Sequence, residues 1–238
     1  MILPRLTHIS PLLLLALTLT AGCAMKDSDK VADAQSCLDN GVSTEALACA
    51  EKVSGIETEA AYLIRCSATF IYQEFTSPTR LATISTQMSG AGGSPAAAIG
   101  LLSFSKPDIN TADTMAAQAL VDCEKSKSKG MLLLASMARV ATNINKAGIG
   151  AVVTNCDPSN PSYNATSCAT AVGAAVCAAD NATLGGAATA AYQQSCQGSS
   201  QDSSSVCAQY QAAIAAGATP AAVGASLRNS LSASGTCP

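Results

Sequence analysis

Tryptophan is absent from this 238-residue chain, and histidine occurs once, as His8. No two of its eleven cysteines are spaced as C-x-x-C. No apolar run reaches the roughly 20 residues that a membrane-spanning helix needs. No stretch alternates Val, Ile and aromatic residues with polar ones as a strand would. The basic residues never cluster beyond Lys125, Lys127 and Lys129.

Each absence excludes something. A C-x-x-C pair is the mark of thioredoxin-like redox sites, zinc ribbons and c-type haem attachment. Nucleic acid requires clustered Lys and Arg, whereas this chain carries a formal charge of −3, and −4 once Arg5 is removed with the leader described below. His8 lies in that leader, so the remaining chain has no histidine for Ser-His-Asp or Cys-His catalysis or for a His-ligated metal. Gly90 to Ser94 is not followed by G-K-[ST], so it is no phosphate loop. No EF-hand spacing occurs. We expect no cofactor, no metal, no nucleic-acid partner and no catalytic residue.

What is present begins at the N-terminus. Arg5 precedes the apolar run Pro11 to Leu19, and small residues follow it. A positive start, a short apolar stretch and small residues read as a secretory signal. Thr20-Ala21-Gly22-Cys23 then resembles the lipobox of bacterial lipoproteins. In that family the cysteine is acylated and the peptide before it, here residues 1–22, is removed. Ala24 and Met25 stand where an inner-membrane retention signal would be Asp, so the resemblance implies the outer membrane, with the periplasmic face preferred over the cell surface. Two or more acyl chains give stable anchoring, where one gives marginal binding. Residues 23–30, with Lys26 to Lys30 charged or polar, read as a lipidated tether.

If Cys23 carries lipid, ten cysteines remain and can pair completely: Cys37, Cys49, Cys66, Cys123, Cys156, Cys168, Cys177, Cys196, Cys207 and Cys237. Scattered cysteines in an exported chain read as structural disulfides.

The chain contains 47 alanines, and its apolar residues recur at helical spacing between Gly, Pro, Ser and Asn breaks. Alanine favours helix and is depleted in strands. An all-α fold of antiparallel hairpins follows, with one region at 31–150 and an Ala- and Cys-rich region at 151–238. Helices are expected over 31–40, 43–53, 59–75, 78–88, 95–104, 111–124, 130–146, 164–180, 186–197, 205–216 and 219–233. Asn40-Gly41 should end the first through a left-handed glycine. Ser43 or Thr44, and then Thr58, should cap the next two. Tyr62, Cys66, Thr69 and Phe70 should form the inner face of the third. Cys37 and Cys49 fall at similar heights on the first two helices, which predicts a disulfide. Cys168 and Cys177 share one helix about 13 Å apart and cannot bond.

Ala34, Gly41, Ala46, Ala50, Val53, Ala61, Leu63 and Phe70 resemble a tetratricopeptide-type repeat over residues 30–75; an irregular antiparallel bundle is the alternative. Residues 151–238 hold only three leucines, one isoleucine and no phenylalanine, yet six of the ten cysteines. Disulfides there compensate for a thin core.

Candidates for chemistry are sparse. Ser126-Lys127-Ser128-Lys129 contains S-x-x-K without its S-D-N and K-T-G partners. Glu57 with Glu59, and Asp122 with Glu124, are neighbouring carboxylates of the kind that favour helix starts. Asn164 and Asn181 begin N-x-[ST] strings and read as helix caps. The sequence therefore points to a non-catalytic helical module that binds another protein, still unidentified, or supports an envelope assembly. The alternatives are a surface-coat or adhesive protein, or an enzyme relying on carboxylates, Ser, Lys or Tyr.

Overall fold

The computed structural model describes residues 26–88, 93–195, 211–212, 214–215, 219–232 and 237. Among these are eleven α-helices, one short 3-10 turn and no strand. Helix α1 spans Asp27–Asn40 and α2 spans Ala46–Glu51, with the 3-10 turn Ser43–Glu45 between them. Helix α1 starts at Asp27, four residues earlier than periodicity suggests. Asp27 and Asp29 sit in its first turn, where negative charge is stabilised by the positive end of the helix dipole. Gly41 is extended, not left-handed, with φ −84°. Its role is room: a Cβ there would lie 2.7 Å from the Cys37 carbonyl oxygen. Neither Ser43 nor Thr44 caps α2; Val42 precedes the 3-10 turn without a side-chain cap.

The Cys37–Cys49 disulfide joins α1 to α2 at a Cα separation of 5.5 Å. Lys52 Nζ reaches Asp33 Oδ2 at 2.8 Å, so the two helices are antiparallel. Gly55 makes the left-handed stop, at φ +76°. Helix α3, Glu59–Tyr72, is capped by Thr58, whose hydroxyl accepts from Ala61 N–H at 3.3 Å. It runs back along α2. Ala61, Ile64 and Ala68 close a small core with Ala34, Leu38, Ala46 and Val53. Cys66 and Phe70 face the main core instead. Tyr62, expected on the inner face, lies at its edge beneath the Arg65 guanidinium, 4.3 Å from the ring centre.

Helix α4 is Pro78–Met88 and α5 is Pro95–Leu101. The expected loop residues Ser89 to Gly92 lie outside the described residues. Helix α6, Ile109–Lys125, begins at Asp108, not at Thr111, because the Asp108 carboxylate accepts from Asn110 and Thr111 N–H at 3.0 and 3.1 Å. It is antiparallel to α3 from Met115 to Lys125. Gln73 meets Met115, Cys66 is bonded to Cys123, Arg65 pairs with Asp122, and Lys125 reaches the Tyr62 hydroxyl. Helix α7, Lys129–Ala147, returns beside α6. The α6–α7 turn therefore lies at the end of the bundle where α1 and α3 begin. Lys106 and Lys146 lie at the opposite end, with Gln73 and Asp113.

Gly148 to Gly150 is a turn, with Gly150 left-handed at φ +78°. It leads into α8, Ala151–Cys156, a helix the sequence reading missed. Then follow α9, Ala165–Ala178, α10, Asn181–Ser195, and α11, Pro220–Leu231. Helix α10 starts at Asn181, five residues before the expected 186, and runs through Gly185-Gly186. The helix expected over 205–216 falls largely outside the described residues. The main core extends from Cys66 to Leu231 across the Gly148–Gly150 turn. At its centre Phe70, Phe75 and Phe104 pack edge-to-face, with centroids 5.2 to 5.5 Å apart.

Candidate functional site

The cysteines are the first candidates. Among the described residues four disulfides are present: Cys37–Cys49, Cys66–Cys123, Cys156–Cys168 and Cys177–Cys237. The hairpin pairing is the one expected, and Cys168 and Cys177 each bond elsewhere. Cys23, Cys196 and Cys207 lie outside the described residues. The Cys156–Cys168 bond packs against α5 at Gly100, where a Cβ would lie 2.5 Å from Cys156 Sγ and 3.0 Å from Cys168 Sγ. Four structural disulfides are the signature of an oxidising, extracytoplasmic compartment. No helix among the described residues is long and apolar enough to cross a membrane.

Polar and charged residues missed at the sequence level act as clasps. Gln73 is 1 % exposed. Its Oε1 accepts from Ser105 and Lys106 N–H at 2.9 and 3.1 Å, and its Nε2 donates to the Lys106 carbonyl at 2.7 Å. Arg80 donates to the carbonyls of Gln73, Leu101 and Ser103 at 2.6 to 2.9 Å, over the ring of Phe75. It thereby satisfies helix-end carbonyls that lack partners within their own helices. Burial lowers the Arg80 guanidinium to about 10, against the opposing charges of Asp157 and Glu74. Arg65 does similar work at the other end, donating to the carbonyls of Val53 and Ile56 at 2.8 and 3.1 Å and to Asp122 at 3.4 Å. These side chains are committed to backbone and neighbours, which suits fold-holding, not substrate binding.

The proposed acids do not converge. Asp122 is 4 % exposed and held by Arg65 and Gln118, while Glu124 faces solvent. Glu57 is exposed, and Glu59 ion-pairs with Lys127. The Ser126 hydroxyl of the S-x-x-K string donates to the Cys123 carbonyl at 2.7 Å and accepts from Ser128 N–H. Asn164 caps α9 as expected, accepting from Thr166 and Ser167 N–H at 2.8 and 3.1 Å. Asn181 does not cap α10; Asp180 does, accepting from Thr183 N–H at 2.8 Å.

Asp113 has a more distinctive setting, between Arg139 and Lys146, with Lys146 Nζ at 2.7 Å and its own side chain 16 % exposed. Burial pushes its pKa up. The hydrogen bonds and charges of Lys146 and Arg139 outweigh that and hold it below the usual Asp value. A carboxylate with a depressed folded-state pKa contributes stability above the unfolded value of about 3.9, and that stability is lost as pH falls through the folded value. Asp113→Asn is expected to cost about 2 kcal/mol at neutral pH. Urea midpoints of variant and wild type should draw together below about pH 4. A gap that widens on acidification would contradict the assignment.

Two grooves remain. One of about 510 Å3 lies between α8 and α9, lined by Gly148, Ala151, Asn155, Thr170 and Ala174 among others. The second, about 350 Å3, lies where α10 crosses α7, with Leu120, Arg139, Asn143, Thr183 and Ala187 in its walls. Neither groove brings acids together, and small side chains dominate both. Among the described residues no group of three or more His, Cys, Asp or Glu could hold a metal ion. Compared with known protein families, characterised proteins and solved structures, the chain matches none of them.

Proposed function

We propose that the chain is an outer-membrane lipoprotein, anchored through acylated Cys23, that acts as a non-catalytic helical module binding another envelope protein or supporting an envelope assembly. The observation that carries the reading is Thr20-Ala21-Gly22-Cys23 at the end of a short apolar run behind Arg5. The disulfides support export. The open, uncharged groove beside α9 supports recognition of a partner. Ala34, Ala46 and Ala61 are buried where the first three helices meet, which supports the TPR-like reading of residues 30–75.

Cys23→Ser is expected to move the protein from the membrane to the soluble fraction. The wild-type N-terminal peptide should carry acyl mass on Cys23. A wild-type protein that stays soluble, with an unmodified N-terminus beginning elsewhere, would sink the anchor. Crosslinking in cells, with identification of the captured protein, tests the binding role.

A further inference from the structure

We infer that the folded domain stands end-on at the bilayer, with the Lys125–Lys129 turn and the start of α1 against the lipid headgroups. The inference rests on the anchor at Cys23. What the structure adds is how little chain separates that anchor from the fold. Helix α1 begins at Asp27, so only Ala24, Met25 and Lys26 intervene. Four residue steps span at most about 14 Å when fully extended.

That reach is short compared with the bundle. Helix α7 has 19 residues, and at 1.5 Å of rise per residue its ends lie about 27 Å apart. Helices α1 and α3 start at one end of the bundle, and α6 runs antiparallel to α3 to finish there. The pairs Arg65–Asp122, Lys125–Tyr62 and Lys127–Glu59 mark this register. An inverted domain would hold the first residue of α1 farther from the lipid than the tether allows.

The lysines divide between the two ends. Lys125, Lys127 and Lys129 lie at the turn facing the start of α3, and Lys26 and Lys30 at the start of α1, both at the anchor end. Lys106 pairs with Glu74 and Lys146 with Asp113 at the far end. Asp27, Asp29, Glu57, Glu59 and Glu124 are interleaved with the near lysines, so net charge does not draw this end to the membrane. The short tether is what keeps the α1 end, not the far end, next to the lipid.

Acylation by a membrane-impermeant lysine reagent tests this. Lipidated full-length protein is reconstituted in vesicles of phosphatidylethanolamine with a minority of phosphatidylglycerol and compared with the soluble Cys23→Ser form. The reading is the labelling of Lys127 and Lys129 relative to Lys106 and Lys146 in the same molecules, which cancels any fraction trapped inside vesicles. The ratio should fall several-fold on vesicles. A long Gly-Ser insertion between Met25 and Lys26 should restore it. An unchanged ratio in vesicle-bound protein, or equal protection of Lys106 and Lys146, overturns the end-on orientation and leaves the anchor standing. Protection that persists with the insertion shows a surface attraction and overturns the tether mechanism. Wild-type protein that fails to join vesicles at all removes the anchor itself.

Discussion

Replacing Cys66 and Cys123 together by alanine is expected to lower stability by about 4 kcal/mol. The bond closes a sequence separation of 57 residues, against 12 for Cys37–Cys49. Constraint of the unfolded chain grows with loop length, which gives about 4 kcal/mol for the longer loop and about 3 for the shorter. The environments point the same way. Cys66 and Cys123 are wholly buried in the main core, where they hold α3 to α6. Cys37 is half-exposed at the edge of the smaller cluster. Domains of this kind have a total stability of about 5–15 kcal/mol, so the longer bond is a large share of it. A fall in Tm of about 10 °C is expected for the Cys66/Cys123 pair at this chain length. Urea titration of both double variants decides the order. A larger loss for Cys37/Cys49 would show that loop closure does not govern disulfide stabilisation here.

The fold class was legible because its signals are local. Alanine content, the breaks at Asn40-Gly41 and Ser54-Gly55, and the caps Thr58 and Asn164 each act within a few residues. The Cys37–Cys49 bond was legible because a short turn forces antiparallel neighbours whose heights follow from helical rise. The long-range bonds were not, because nothing near Cys66 in sequence indicates Cys123. Helix α8 was missed because six residues after a left-handed glycine carry too little periodicity to register. The clasps of Gln73 and Arg80 depend on carbonyls that only tertiary structure brings near them. The grooves were illegible for a related reason. Their walls are Ala, Gly, Ser and Thr from separate helices, residue types whose chemistry does not stand out in a sequence. Of the proposed function, only the anchor has a sequence signature.

The glycine pair Gly185-Gly186 yields the second large effect. Both glycines lie inside α10, and only one of them is needed there. A Cβ on Gly185 would fall 1.8 Å from the Pro220 carbonyl oxygen and 2.5 Å from Gly224 N. A Cβ on Gly224 would fall 1.9 Å from the Asn181 carbonyl oxygen. Helices α10 and α11 thus meet backbone to backbone. That contact brings Leu184, Leu227 and Leu231, the three leucines of the C-terminal half, into the buried core. The opposing atoms are main chain and cannot rotate aside, so Gly185→Ala must push the helices apart and loosen those leucines. Overpacking of this kind typically costs about 1–3 kcal/mol, and rigid backbone on the facing side places this case at the upper end. Gly186 has nothing within 4 Å of its would-be Cβ. Gly186→Ala should therefore stabilise by about 0.4–1 kcal/mol, by restricting the unfolded chain and favouring helix. Adjacent glycines in one helix are expected to give opposite signs under the same substitution. Thermal denaturation of the two single variants reads this directly. A Gly185→Ala protein as stable as Gly186→Ala would show that α10 and α11 are not in backbone contact.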